Sequence, residues 1–327
     1  MKKLVLAAVL LAVVVIVLGA YTRLTDAGLG CPDWPGCYGH LTVPKTDSHI
    51  EAAEQAFPER PFEAHKAWNE MIHRYAAGML GLVILAIFVI SFIKRTYHSP
   101  VKLPFFLLCL VCFQGALGMW TVTLNLLPVV VMGHLLGGFS VISCLYLLYL
   151  RLSDYRIPGG DTHMTKFAKY CALGIAILVG QIALGGWTSA NYAAMACVEL
   201  PLCGGNGEWV SKLDIAGAFS VPAAENYEFG VHSWEQRMTM HVAHRIGAII
   251  TFLYLCWLAV RLYTNAASQM IKNMTITMVL VLGLQIMLGV SNVVFSLPLA
   301  VAVMHNAVAA ILLLVMVKLC YTLYRKT

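Results

Sequence analysis

Residues 71–93 read MIHRYAAGMLGLVILAIFVISFI, and residues 240–262 read MHVAHRIGAIITFLYLCWLAVRL. Each run is long enough to cross a bilayer as a helix of about 20 residues. Each carries a His-Arg pair near its start, His73-Arg74 and His244-Arg245, at an offset of 171. An imidazole inside lipid is costly unless partnered, so an intramembrane histidine marks function by default. Two such runs with the same signature point to a duplicated membrane protein.

Six further apolar runs complete the pattern: Leu4–Tyr21, Leu103–Thr123, Val129–Leu150, Phe167–Trp187, Ile276–Val294 and Leu299–Tyr321. None alternates with period two, which excludes barrel strands. Of the 327 residues 60% are apolar and 12% charged, about half the charged share of a soluble domain. Met1-Lys2-Lys3 ahead of a Leu/Val run resembles a secretory leader. That run has an internal partner, described below, and reads as the first span.

With eight spans both termini lie on one side. That side holds Lys2, Lys3, Lys94, Arg95, Lys102, Arg151, Arg156, Lys166, Lys169, Arg261, Lys272, Lys318, Arg325 and Lys326, against only Asp154 and Asp161. Short loops rich in Lys and Arg stay cytoplasmic, so the termini are expected inside. The net charge of +6 then reflects topology and gives no support to nucleic-acid binding. The outer side carries two long loops, 22–69 and 190–237, and two short ones, 124–128 and 295–298.

The repeat extends beyond the His-Arg pairs. Gln114-x-x-Leu117-Gly118 returns as Gln285-x-x-Leu288-Gly289, and His134 as His305, all at 171. Gly19-Ala20-Tyr21-Thr22 returns as Gly185-Gly186-Trp187-Thr188 at 166, and Cys31 and Cys37 return as Cys197 and Cys203 at the same offset. The expected fold is an all-α integral membrane protein of eight transmembrane helices in two pseudo-symmetric four-helix bundles, residues 1–153 and 154–327. Even numbers of spans insert both halves the same way up, as in parallel repeats.

His73 and His244 are expected in the first turns of their spans. His134 and His305 follow Pro128 and Pro298 by six and seven residues, about 9–10 Å below the outer surface. Each half can therefore aim two imidazoles at one level, which suits axial ligation of a haem iron in a bundle core. Structural zinc wants four ligands, usually including thiolates, and fits poorly. Gly133, Gly137, Gly138, Ala302, Ala307, Ala309 and Ala310 leave room for a flat macrocycle or serve close helix packing. Arg74 and Arg245 either pair with haem propionates or snorkel to water. His40, His49, His65, His98, His163 and His232 fall in loops and read as solvated.

Cys109, Cys112, Cys144, Cys171, Cys256 and Cys320 lie in or beside spans and read as small apolar packing residues. Cys31 and Cys37, and Cys197 and Cys203, share outer segments with the same spacing and an internal Pro. The oxidising side argues for one disulfide in each loop, with a redox-active thiol pair as the alternative. Glu70 precedes His73 by three residues, on the same helix face. Its counterpart at 171 is His241. A carboxylate beside one histidine pair only suggests unequal jobs, unless Glu70 simply favours the helix N-terminus.

Taken together, Gly28-Leu29-Gly30-Cys31-Pro32-Asp33-Trp34-Pro35, Glu70-Met71-Ile72-His73-Arg74, Gly133-His134, His241-Val242-Ala243-His244-Arg245 and Met304-His305-Asn306 resemble the haem A synthase family in order and spacing. The resemblance covers essentially all eight spans. It implies oxidation of the haem O methyl group to a formyl group by successive hydroxylations, making haem A for cytochrome oxidase. It also implies that His244 and His305 ligate a haem b cofactor. His73 and His134 would bind the substrate haem, with Glu70 catalytic; His241 matches no role. The implied partners are haem O synthase, the oxidase assembly machinery and an unidentified electron partner in the bacterial cytoplasmic membrane, with the haem sites toward the outer side. Self-assembly into a homo-oligomer stays open. The rival readings are a two-haem b-type electron carrier and a haem-handling assembly factor without a reaction of its own.

Overall fold

The computed structural model describes residues 1–94, 100–200, 203 and 207–327. Arg95 and His98 of the loop at 94–102, and Pro201 and Leu202 of the second cysteine segment, lie outside the described residues.

Among the described residues, eight helices are long and apolar enough to cross a membrane. They are α1 (Lys2–Leu24), α3 (Ala64–Ile93), α4 (Lys102–Thr123), α5 (Pro128–Arg151), α6 (Ala168–Ala190, entered through a 3-10 turn at Thr162–Phe167), α8 (Trp234–Asn265), α9 (Gln269–Val294) and α10 (Leu299–Arg325). Two short helices, α2 (Asp47–Ala56) and α7 (Ile215–Ala218), sit in the long outer loops. Helices suit this sequence because a span must satisfy every backbone polar group within itself.

Local chemistry sets the ends. Pro128 occupies the first turn of α5, where its missing N–H is not needed. Ser233 and Gln236 form a reciprocal capping box that starts α8. Both α3 and α8 begin well before the apolar runs at Met71 and Met240, with polar first turns. His73 and His244 therefore sit in the third turn of their helices, a correction to the first-turn placement. The two short outer turns share one form. Asn125 and Leu126 are left-handed (φ 46° and 62°), as are Ser296 and Leu297 (φ 56° and 60°). Leu126 N–H bonds Thr121 C=O at 2.8 Å and Leu297 N–H bonds Asn292 C=O at 2.7 Å.

Helices α1, α5, α6 and α10 form an inner ring, each touching the next, and α5 also touches α10. Outside it, α3 packs on α1 and α4, α4 on α5, α8 on α6 and α9, and α9 on α10. Val5, Ala8, Leu80, Ile84, Leu107, Ile142 and Leu145 join α1, α3, α4 and α5 in one apolar cluster. A second cluster, including Cys171, Leu178, Leu255, Leu258, Met278, Leu313 and Met316, joins α6, α8, α9 and α10. Lipid tails are as apolar as leucine, so close packing rather than water exclusion holds these helices together. Leu10, Leu82, Phe92, Phe105, Leu253 and Leu280 stay exposed, as a lipid-facing surface requires. Cys109 and Cys112 are also exposed rather than packed, while Cys171 is buried as expected.

The outer loops lock onto the bundle and onto each other. Arg60 pairs with Glu228 at 2.6 Å, and Tyr227 N–H bonds Asn125 C=O at 3.0 Å. Arg23 donates to Ser189 C=O at 2.6 Å and lies 3.9 Å over the Tyr192 ring. One of the loop histidines is structural rather than solvated: His232 is buried and bonds Gln236 Oε1 at 2.9 Å. His163 is exposed as expected, and meets Asp161 at 2.9 Å and Asn265 C=O at 2.7 Å.

Candidate functional site

Helices α3 and α5 bring His73 and His134 together, with ring centroids 6.4 Å apart and planes at 86°. Helices α8 and α10 carry His244 and His305 at the corresponding places of the second half. All four residues are half-buried. The Nδ1 atoms of His73, His134 and His305 are enclosed without a hydrogen-bond partner. His305 Nε2 lies 3.3 Å from the Gln285 amide nitrogen.

A glycine of a neighbouring helix seats each ring. A Cβ at Gly19 would fall 2.9 Å from His73 Cε1, and one at Gly185 would fall 2.9 Å from His244 Cε1. The distances are 3.4 Å for Gly118 against His134 and 3.1 Å for Gly289 against His305. Gly19 pairs with Gly185 at offset 166, and Gly118 with Gly289 at 171. Of the small residues expected either to admit a macrocycle or to serve close packing, several pack. Ala302, Ala307, Ala309 and Ala310 are buried in helix packing, and Gly137 receives the Gln114 side chain. Gly138 has open space.

These features fit a haem iron between paired imidazoles. His73 with His134, and His244 with His305, would be the residues to hold such a group. Enclosed Nδ1 edges and glycine seats hold the rings in place. Among the described residues, no group of three or more His, Cys, Asp or Glu is placed to hold a bare metal ion.

Glu70 is buried, with 4% of its surface exposed. Its Oε2 accepts from Cys31 N–H at 2.8 Å, and its Oε1 accepts from Arg74 Nη2 at 2.5 Å. Arg74 also donates to the carbonyls of Asp33 at 3.0 Å, Pro35 at 3.4 Å and Gly36 at 2.5 Å. Cys31 and Cys37 are disulfide-bonded, Cα–Cα 4.7 Å, as are Cys197 and Cys203, Cα–Cα 5.3 Å. Arg245 donates to Cys197 C=O and Glu199 C=O, both at 2.6 Å. Arg74 and Arg245 thus clamp the disulfide loops, a role beyond the propionate contact and the snorkelling expected of them. Gly30 allows the first loop to lie on α3, since a Cβ there would meet the Lys66 carbonyl carbon at 2.5 Å.

His241 stands where Glu70 stands in the other half. It is buried, and its Nδ1 has no partner. Residue spacing did not reveal Gln181, whose Nε2 lies 3.0 Å from His244 Nδ1 and 3.0 Å from His244 C=O. Its counterpart at offset 166 is Val15, so the repeat conceals it. A polar cleft of about 240 Å³ opens between the loops beside Gly30, lined by residues including Asp26, Tyr38, Arg60, Lys66 and Glu228.

The fold defines a polytopic all-helical membrane protein with a histidine pair in each half. Residues 2–317 match the COX15-CtaA family profile, described as cytochrome oxidase assembly protein, and the chain belongs to that family. It is 53% identical over 315 residues, 96% of this chain and 93% of the other, to a heme A synthase of Shewanella oneidensis. It is 28% identical to a heme A synthase of Flavobacterium johnsoniae, covering 95% of this chain and 93% of that one. A heme A synthase of Rickettsia prowazekii is 25% identical, with 97% and 96% covered.

Proposed function

We propose that this chain converts haem O to haem A in the bacterial cytoplasmic membrane, oxidising one methyl group to a formyl group through successive hydroxylations. The observation that carries the reading is the His73–His134 pair with a buried carboxylate one helical turn away on α3. The names of the full-length relatives support it. The chain works as two halves, 1–153 and 154–327, and the matching helix neighbours and outer turns support that division. The termini face the cytoplasm and the haem sites the outer side, as the Lys and Arg of the short loops indicate.

His73 and His134 hold the substrate haem in the first half. His244 and His305 hold haem b in the second. Bound there, haem b supplies one-electron chemistry, fed by an electron partner. The glycine seats hold the imidazoles in orientation, and the disulfide loops cover the outer ends of the pockets and restrict water. Glu70 holds or moves a proton at its Oε1 as Arg74 shifts its hydrogen bonds toward the carbonyls of Asp33, Pro35 and Gly36. Ionised, Glu70 stabilises positive charge developing on the substrate. Haem O synthase upstream and the oxidase assembly machinery downstream are the expected partners.

Single alanine substitutions test the division. His244→Ala and His305→Ala should each remove haem b while the first pair still binds haem O. His73→Ala should keep haem b and stop conversion. Full haem b in both His244→Ala and His305→Ala would refute the assignment.

A further inference from the structure

We propose that the two disulfide loops are feet that dip into the bilayer on the side of the long loops, through Trp34 and Leu41 in the first half and Val198 and Leu200 in the second. Their partner is the acyl-chain surface of the lipid, whichever group the histidines hold.

Each loop is fastened beside an outward stripe of its helix. On α3, Trp68, Ile72, Tyr75, Met79 and Leu82 are exposed, and their spacing of three and four puts them on one face. On α8, Ile246, Ile250 and Leu253 are exposed at the places of Tyr75, Met79 and Leu82, each at offset 171. Both helices are long and apolar enough to cross a membrane, and a span leaves such a stripe to lipid.

Hydrogen bonds set the level of the loops. Tyr75 Oη donates to Leu41 C=O at 3.3 Å, so Leu41 lies beside a residue inside the apolar run that starts at Met71. Arg74, next to Tyr75, holds the Asp33 and Pro35 carbonyls, which brings Trp34 to the same level. Arg245, next to Ile246, holds the Cys197 and Glu199 carbonyls, which brings Val198 and Leu200 there in the second half. All four of these loop side chains are exposed, and Leu41 is 85% exposed. Its neighbours Tyr38 and Val43 turn inward, into the loop core with Cys31 and Cys37.

A single exposed leucine is ordinary. Apolar side chains gathered at one level, in loops related by the repeat, mark an interaction surface. Lipid fits it better than a second protein, because the patch continues into stripes that run down both spans and carries the residues of a membrane–water boundary. Lys45 Nζ lies 5.7 Å over the Trp68 ring, and Trp68 is about 10 Å of helix to the loop side of Tyr75. Trp and Tyr collect at that boundary, and lysine reaches from it to water. The Tyr75 hydroxyl takes its acceptor from the loop, as a polar group beside lipid must. The first foot also holds the Cys31 segment, whose N–H bonds Glu70, down on α3.

The test uses the full-length chain in phosphatidylcholine vesicles, with an environment-sensitive fluorescent amino acid in place of Leu41 and, in a second protein, of Val198. The same probe in place of Glu51, exposed on α2, is the aqueous control. Lipid brominated on the upper part of its acyl chains should quench the probes at 41 and 198 and leave that at 51 bright. Iodide on both sides of the membrane should do the reverse. Iodide quenching at 41 and 198 with no loss to bromolipid would overturn the proposal, since the loops would then stand in water. Probes shielded from both quenchers would overturn it too, because a second copy or another protein would then cover the patch. Bromolipid quenching in one loop only would overturn it for the other half. If the residue 41 protein does not accumulate, residue 198 decides alone.

Discussion

The imidazole of His73 rests against Gly19 so closely that a Cβ at residue 19 would lie 2.9 Å from its Cε1, and His244 rests on Gly185 at the same distance. Real Cβ contacts essentially never come so close, so an alanine at either place must move the ring. The same change gains up to about 1 kcal/mol of helix propensity, which sets ring displacement apart from unfolding. Gly185→Ala should keep a folded chain with roughly tenfold weaker haem b retention. Gly19→Ala should keep haem b and lose conversion. Absorbance per protein, read beside thermal unfolding, checks both.

Arg74 and Arg245 each hold at least two loop carbonyls. Lysine has one ammonium in place of a planar fork and cannot reproduce this. A hydrogen bond from a charged donor contributes about 1.5–3 kcal/mol. Arg74→Lys should therefore raise amide exchange in residues 31–37 by roughly 10- to 100-fold with the disulfide intact. Arg245→Lys should do the same for the loop that begins at Cys197. Hydrogen-exchange mass spectrometry reads both.

Burial pushes the Tyr38 phenol up to about 12. The hydroxyl donates to the carbonyls of Arg60 and Pro61, each at 3.2 Å, so a phenolate there would face two acceptors. The unfolded phenol ionises near pH 10. The fold's preference for the neutral form is therefore complete below pH 10 and is lost as pH rises from about 10 to 12. The loss amounts to about 2–3 kcal/mol in the first outer loop. Tyr38→Phe should abolish this step at a cost of about 1 kcal/mol at neutral pH. Proteolysis of the loop against pH distinguishes the two proteins.

Much of this was legible in the chain. Eight apolar runs give eight spans, and the offsets of 166 and 171 locate both histidine pairs and both disulfides. The starts of α3 and α8 were not legible, because residues 64–69 and 234–239 are largely polar and give no hydropathy signal. Gly19 and Gly185 stood out as a repeat match, but only packing reveals that they seat imidazoles. The arginine clamps depend on where carbonyls fall in irregular loops, which residue spacing does not encode. Gln181 stayed hidden because it departs from the repeat that exposed everything else.

Glu70→Gln keeps an acceptor for Cys31 N–H and removes the charge that pairs with Arg74. A purely structural Glu70 predicts a looser loop and haem A close to the parent level. The proposed role predicts a folded chain with both haem sites filled and conversion stopped, leaving haem O or a hydroxylated intermediate bound. Extracted pigment and loop exchange, measured on one preparation, separate these outcomes.

The most direct measurement is chromatography of the haems extracted from a host that makes haem O but no haem A of its own, with and without this chain. The account predicts haem A only when the chain is present, and none when His73 is replaced by Ala. A host carrying the correctly folded, haem b-loaded chain that accumulates only haem O and haem b would contradict it.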